Sequence, residues 1–168
     1  PDLVATPYGG IKNTNDATAK NPLGTLYRYK GSLYRYVKFA QSGIAAVQGA
    51  AVFWYNTLSP ATGIFTVTAD YTYSLANING VAGVLNCIVT DGYYTWMQVG
   101  GRTQARVVTG TVHGDILIGQ ANDDLEFNMI AADANITSVP FAVALGIRNL
   151  ESNTQAYVLL MAGVLASF

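Results

Sequence analysis

The chain has 168 residues, of which only 11% are charged, and a net charge of −1; an average soluble domain carries roughly 25% charged residues. This length makes one domain with a real core, and a pI near 5.7 excludes the strongly basic footprint of a nucleic-acid-binding domain. The longest apolar runs, "VPFAVALGI" and "VLLMAGVLA", stop well short of the ~20 residues of a membrane-spanning helix, so neither nucleic acid nor membrane is expected as a partner.

Residues 1–24, "PDLVATPYGGIKNTNDATAKNPLG", are rich in Pro, Gly, Asn, Thr and Lys and have no period. They read as an extended N-terminal arm with a few apolar anchors, followed by a β-rich domain over 25–168. A start at Pro1 fits loss of an initiator methionine and synthesis in a cytoplasm. Charge is uneven: residues 1–40 hold six basic and two acidic side chains, residues 41–168 three basic and eight acidic. A segment of +4 beside a body of −5 suits docking on an acidic protein surface, or is simply a solvated basic edge.

From residue 25 the pattern is strand upon strand. "TLYRYKGSLYRYVKFA" repeats Leu-Tyr-Arg-Tyr at 26–29 and 33–36 around Lys30-Gly31-Ser32, which predicts a hairpin. Further strands are predicted over 47–55, 64–68, 81–90, 93–99, 103–109, 115–119, 125–130, 140–148 and 155–162. Turn pairs such as Ser59-Pro60, Thr62-Gly63, Asn79-Gly80, Asp91-Gly92 and Gly100-Gly101, and His113-Gly114-Asp115, divide them. No segment keeps helical spacing with caps. The expected fold is all-β, a single β-sandwich or β-barrel domain. The stretches 81–101 and 141–163 share a shape: apolar strand, polar turn, Tyr-led apolar strand, glycine exit. That makes an internal duplication one reading and two ordinary hairpins the other.

Titratable chemistry is sparse. His113 is the one histidine, lies in a turn, and has no nucleophile motif beside it. Asp123, Asp124 and Glu126 in "NDDLEF" are oxygen ligands without a calcium-loop spacing and read as an ordinary acidic turn. Cys87, the single cysteine, reads as a small buried hydrophobe and leaves no partner for an internal disulfide. Asn135-Ile136-Thr137 matches a glycosylation acceptor that matters only in a secretory pathway. No catalytic residue, metal or cofactor is expected.

The 11 tyrosines carry the richer signal, since tyrosine combines an apolar face with a hydroxyl. In "DGYYTWMQVGG" alternation puts Tyr93, Thr95, Met97 and Val99 on one face and Tyr94, Trp96 and Gln98 on the other. Both faces are apolar. The readings are core on one face and a subunit interface on the other, a plain core, or a sugar-stacking platform.

Three stretches together resemble the decoration, or cement, proteins of tailed-bacteriophage heads. These are "YRYKGSLYRYVKFAQSGIAAVQGAAVFW" (27–54), "VAGVLNCIVTDGYYTWMQVGGRTQARVV" (81–108) and "FAVALGIRNLESNTQAYVLLMAG" (141–163). The resemblance covers most of residues 25–163 as pattern, without a catalytic signature, and does not reach the arm. It implies a β-rich homotrimer, at three-fold and quasi-three-fold positions outside an icosahedral head, clamping major capsid protein subunits. It also implies synthesis in the bacterial host cytoplasm and residence on the virion surface. On this reading Leu3, Tyr8, Ile11 and Lys12 of the arm, with Arg28, Lys30, Arg35 and Lys38 of the basic hairpin, are the expected capsid contacts. Trp54, Tyr94, Trp96 and Gln98 are the expected subunit contacts. The competing reading is a carbohydrate- or receptor-binding β-module on the virion surface; a small hydrolase using His113 or the 123–126 carboxylates is a distant third.

Overall fold

Lys30 and Gly31 both adopt left-handed backbone, at φ of +48° and +80°. A two-residue turn demands this if it is to match the twist of its flanking strands. The predicted hairpin therefore forms, between β1 (Leu26–Tyr29) and β2 (Ser32–Phe39). The computed structural model describes residues 11, 14–40, 43–55, 65–73, 81–119, 124–129, 142–150 and 153–161. The strands that follow are β3 (Ala51–Trp54), β4 (Thr66–Thr68), β5 (Val81–Leu85), β6 (Tyr94–Arg106), β7 (Ile116–Ile118), β8 (Asn128–Met129), β9 (Ala142–Leu150) and β10 (Asn153–Leu160). A 3-10 turn spans Tyr71–Tyr73, and no α-helix occurs among the described residues. The all-β class is as expected.

Five strands close a barrel in the order β2-β4-β3-β5-β6, with β6 pairing back to β2. All contacts are antiparallel except β2–β4. Strand β6 then continues into a second sheet, β6-β10-β9-β7-β8. Up to Gly100 it pairs with β2, and from Gly101 with β10. The expectation of separate strands over 93–99 and 103–109, split by a Gly100-Gly101 turn, is corrected here: the glycines bend one strand. Gly101 sits at φ +85°, and a Cβ there would lie 2.8 Å from the Gly31 carbonyl oxygen. The predicted 81–90 strand ends at Leu85, and Gly92 turns at φ +75° after Asp91, donating its N–H to the Phe39 carbonyl at 3.0 Å.

Because sheet side chains alternate, both faces of the barrel wall need cover, and three clusters supply it. Val37, Phe39, Val52, Val67, Leu85 and Met97 fill the barrel. Phe53, Val81, Leu117, Phe127, Val158 and Leu160 pack the outside of β3 and β5 under the second sheet. Tyr36, Trp96, Tyr34 and Ile11 form the third, on the outside of β2 and β6.

That third cluster corrects the picture of a wholly extended arm. Ile11 and residues 14–24 lie on the chain's own barrel. Asp16 bridges to Tyr94 by two main-chain hydrogen bonds of 2.9 Å, and the Gly24 N–H donates to the Tyr36 carbonyl at 2.8 Å. Asn15 exchanges two 3.0 Å hydrogen bonds with Thr90, and the Cys87 thiol donates to the Thr14 carbonyl at 3.4 Å. Cys87 is buried, as read from sequence, and burial pushes its thiol up from the ordinary value.

Candidate functional site

Along the outer face of β1, β2 and β6, five rings follow one another: Tyr94, Tyr36, Trp96, Tyr27 and Tyr29, with centroids 6.2, 5.0, 6.1 and 6.4 Å apart. Register explains the row, since Tyr36 pairs with Trp96 and Tyr34 with Tyr27, so these side chains share a face. A lysine sits at each end, Lys38 Nζ 6.0 Å from the Tyr94 centroid and Lys30 Nζ 5.3 Å from that of Tyr29. Ring faces carry negative charge density, which favours such caps. The middle of the row is sealed by Ile11 and Leu23, whereas Tyr29 is exposed at the hairpin tip.

The expected subunit contacts are therefore partly corrected. Trp96 is 1% exposed and Gln98 3%, so neither has surface to offer a second chain: the chain's own N-terminal segment covers Trp96. Gln98 Nε2 donates to the Gly100 and Arg102 carbonyls and to Ser32 Oγ at 3.0–3.1 Å, which makes it the clasp on the β6 bend. Tyr94 and Trp54 are half-buried, Trp54 lying edge-on to Phe65.

The expected capsid contacts divide. Ile11 is 7% exposed and belongs to the third cluster, so its side chain is committed inside the protomer. Leu3, Tyr8 and Lys12 lie outside the described residues. Arg28 and Lys30 are exposed on the hairpin, and Lys38 is half-buried. Arg35 is a half-buried charge. Its guanidinium lies 5.7 Å from both the Trp54 and Phe65 rings, its Nε is out of water without a hydrogen-bond partner among the described residues, and burial lowers its pKa. Arg28 lines a cleft of about 320 Å³ with Leu33, Gly100 and Leu159.

Two features escaped sequence reading. Strand β1 pairs only with β2, so its outer edge is free among the described strands, beside exposed Leu26, Arg28, Tyr29 and Lys30. Ile116, Val143 and Leu159 stand directly opposite one another across β7, β9 and β10. Two of the three are 41% and 43% exposed, so an apolar row faces outward. The signal was present in "DILIG" and "YVLLMAG", where apolar residues run through both parities and one parity must point away from the core.

The acidic residues have local duties. Asp124 accepts the Tyr71 N–H at 2.8 Å, Glu126 pairs with Arg106 at 3.3 Å, and Asp115 accepts the Val112 N–H at 2.7 Å to close the turn that leaves His113 exposed. Asp123 and Asn135 lie outside the described residues. No family model matches the chain, and neither a curated protein nor a solved structure matches it.

Proposed function

We propose that the protein is a structural subunit of a tailed-phage head, a decoration protein that binds the outside of the icosahedral capsid and holds major capsid protein subunits together. The observation that carries this is the outer edge of β1, free among the described strands and set between two exposed cations and an exposed ring. Such an edge recruits an extended segment of another protein through main-chain hydrogen bonds. Arg28 and Lys30 then select an acidic partner and deter uncontrolled edge pairing. The arm residues Leu3, Tyr8 and Lys12 remain part of this capsid-facing set. The protein acts without catalysis, made in the bacterial host cytoplasm and mounted on the virion surface.

The subunit seam of a homotrimer falls on the Ile116–Val143–Leu159 row in place of Trp96 and Gln98. A contiguous apolar strip on a sheet face is the usual mark of a covered surface. Heads lacking the protein, titrated with Arg28→Glu/Lys30→Glu, test the proposal: occupancy is expected to fall at least tenfold, with the variant's fold and mass unchanged. Undiminished occupancy would overturn the hairpin as the capsid contact. A monomeric mass by light scattering would overturn the trimer.

A further inference from the structure

A slot of about 520 Å³ opens beside β6 at the end of the ring row, next to Tyr34 and Gln98, where the β5 pairing has ended and the β10 pairing has begun. Among the described residues it is lined by Gln48, Asn86, Gln98, Gln104 and Gln155, with Arg102 the one charged residue, its guanidinium 4.6 Å from the Tyr157 ring centroid at the rim. Tyr34 and Thr103 also border it. The volume falls within the roughly 300–1,000 Å³ of small-ligand sites, yet such sites are predominantly apolar, and this one is lined by amides.

Main-chain groups add to it. The Arg106 N–H donates to the Gly49 carbonyl at 2.8 Å, and strand alternation turns the N–H groups of Gln104 and Arg102 to that same side. Asn86 Nδ2 is out of solvent and has no hydrogen-bond partner among the described residues, a cost that an acceptor on this wall would relieve after rotation of the amide. Gln98 uses its donors on the β6 bend, so it shapes the slot. The side chains of Gln48, Gln104 and Gln155 make no hydrogen bond among the described residues, which leaves their donors for a ligand.

We propose that this slot binds a hydroxyl-rich glycan, with Arg102 facing a carboxylate-bearing sugar. Each carboxamide presents a donor beside an acceptor, which matches sugar hydroxyls that do both. An extended peptide fits worse. Along β6 the slot is closed at one end by the Val84–Gln98 and Leu85–Met97 pairs and at the other by the Gly49–Arg106 hydrogen bond. A strand would need to run through; a compact ring does not. Among the described residues no carboxylate lines the slot, so an acidic sugar meets no like charge from them.

Saturation-transfer NMR on the full chain, with sialyllactose, oligogalacturonate and chito-oligosaccharides as probes, tests it. Binding of at least one is expected, weakened at least tenfold by Gln104→Ala/Gln155→Ala, with the fold checked by circular dichroism. Arg102→Gln is expected to weaken the acidic probes at least fivefold and leave the neutral one unchanged. No binding of any probe overturns the proposal, as does binding that the double variant leaves intact. Retention of extended peptides from a random library, lost in the same variant, would assign the slot to a peptide instead.

Discussion

The outer face of β2 and β6 and the outer face of β7, β9 and β10 pose the same problem and meet different fates. Both place large apolar side chains on the side of a sheet away from the barrel interior. On the first, Trp96 and Tyr36 are sealed by Ile11 and Leu23 of the chain's own N-terminal segment. On the second, Ile116 and Leu159 stay two-fifths exposed. An apolar strand face thus says that cover is needed without saying who provides it. Low charge content across the whole chain does not separate the two cases; chain topology does.

The comparison breaks most visibly at Trp96. Trp96→Ala removes the central ring of the row and is expected to cost about 3–5 kcal/mol, read as a lowered midpoint in urea, with residues 14–24 becoming protease-sensitive. An unchanged midpoint would mean that the segment contributes no stability as a cover. Next comes Gly101→Ala, which forces a side chain into left-handed backbone and toward the Gly31 carbonyl. About 1–3 kcal/mol is expected, along with faster amide exchange at the β2–β6 and β6–β10 junction.

Much of this was legible in the sequence. Period-two alternation in "YYTWMQV" correctly separated the face of Met97 and Val99 from that of Trp96, and Lys30-Gly31 announced its turn. The echo between 81–101 and 141–163 corresponds to two antiparallel pairs, β5–β6 and β9–β10. Their registers differ: two residue pairs in the first and eight in the second. What could not be read was long-range. Nothing local in "NTNDATAK" tells that Asp16 will bridge Tyr94, because that pairing is decided by which face the barrel leaves bare. Gly100-Gly101 has the composition of a turn and becomes a bend because β2 and β10 hold β6 on either side of it. The amide slot exists only where β5 ends and β6 goes on, a juxtaposition with no sequence signature.

Asp16 is the latch of the sealed side. Its carboxylate pairs with Lys20 at 2.6 Å and accepts the Tyr36 hydroxyl at 3.1 Å. Asp16→Ala is expected to cost about 1–2 kcal/mol, most of it from the hydrogen bond to a charged acceptor and little from the half-exposed lysine pair. The same latch gives a pH signature. Burial above all, then the neighbouring Asp16 charge, pushes the Tyr36 hydroxyl up to about 12 from 10. The folded state therefore holds this proton more tightly than the unfolded chain. Its contribution is complete below pH 10 and is lost as pH rises from 10 through 12. The other tyrosines titrate in that region too, so the test is a difference: Tyr36→Phe should flatten the alkaline fall in stability relative to the parent. Parallel curves would mean that Tyr36 titrates as it does in the unfolded chain.

The smallest effect sharpens the comparison most. Leu159→Thr removes an apolar side chain that is 43% exposed in the protomer, so at high dilution its unfolding midpoint should match the parent's to within about 0.5 kcal/mol. If a second copy covers the Ile116–Val143–Leu159 row, association stabilises the folded state by mass action. The parent's midpoint must then climb with protein concentration while the Leu159→Thr midpoint stays level. Trp96→Ala should lower stability by the same amount at every concentration, because its cover is tethered and its effective concentration is fixed by the chain. A parent midpoint independent of concentration would mark the row as exposed surface, and the two faces would then differ only in that one needed covering and the other did not.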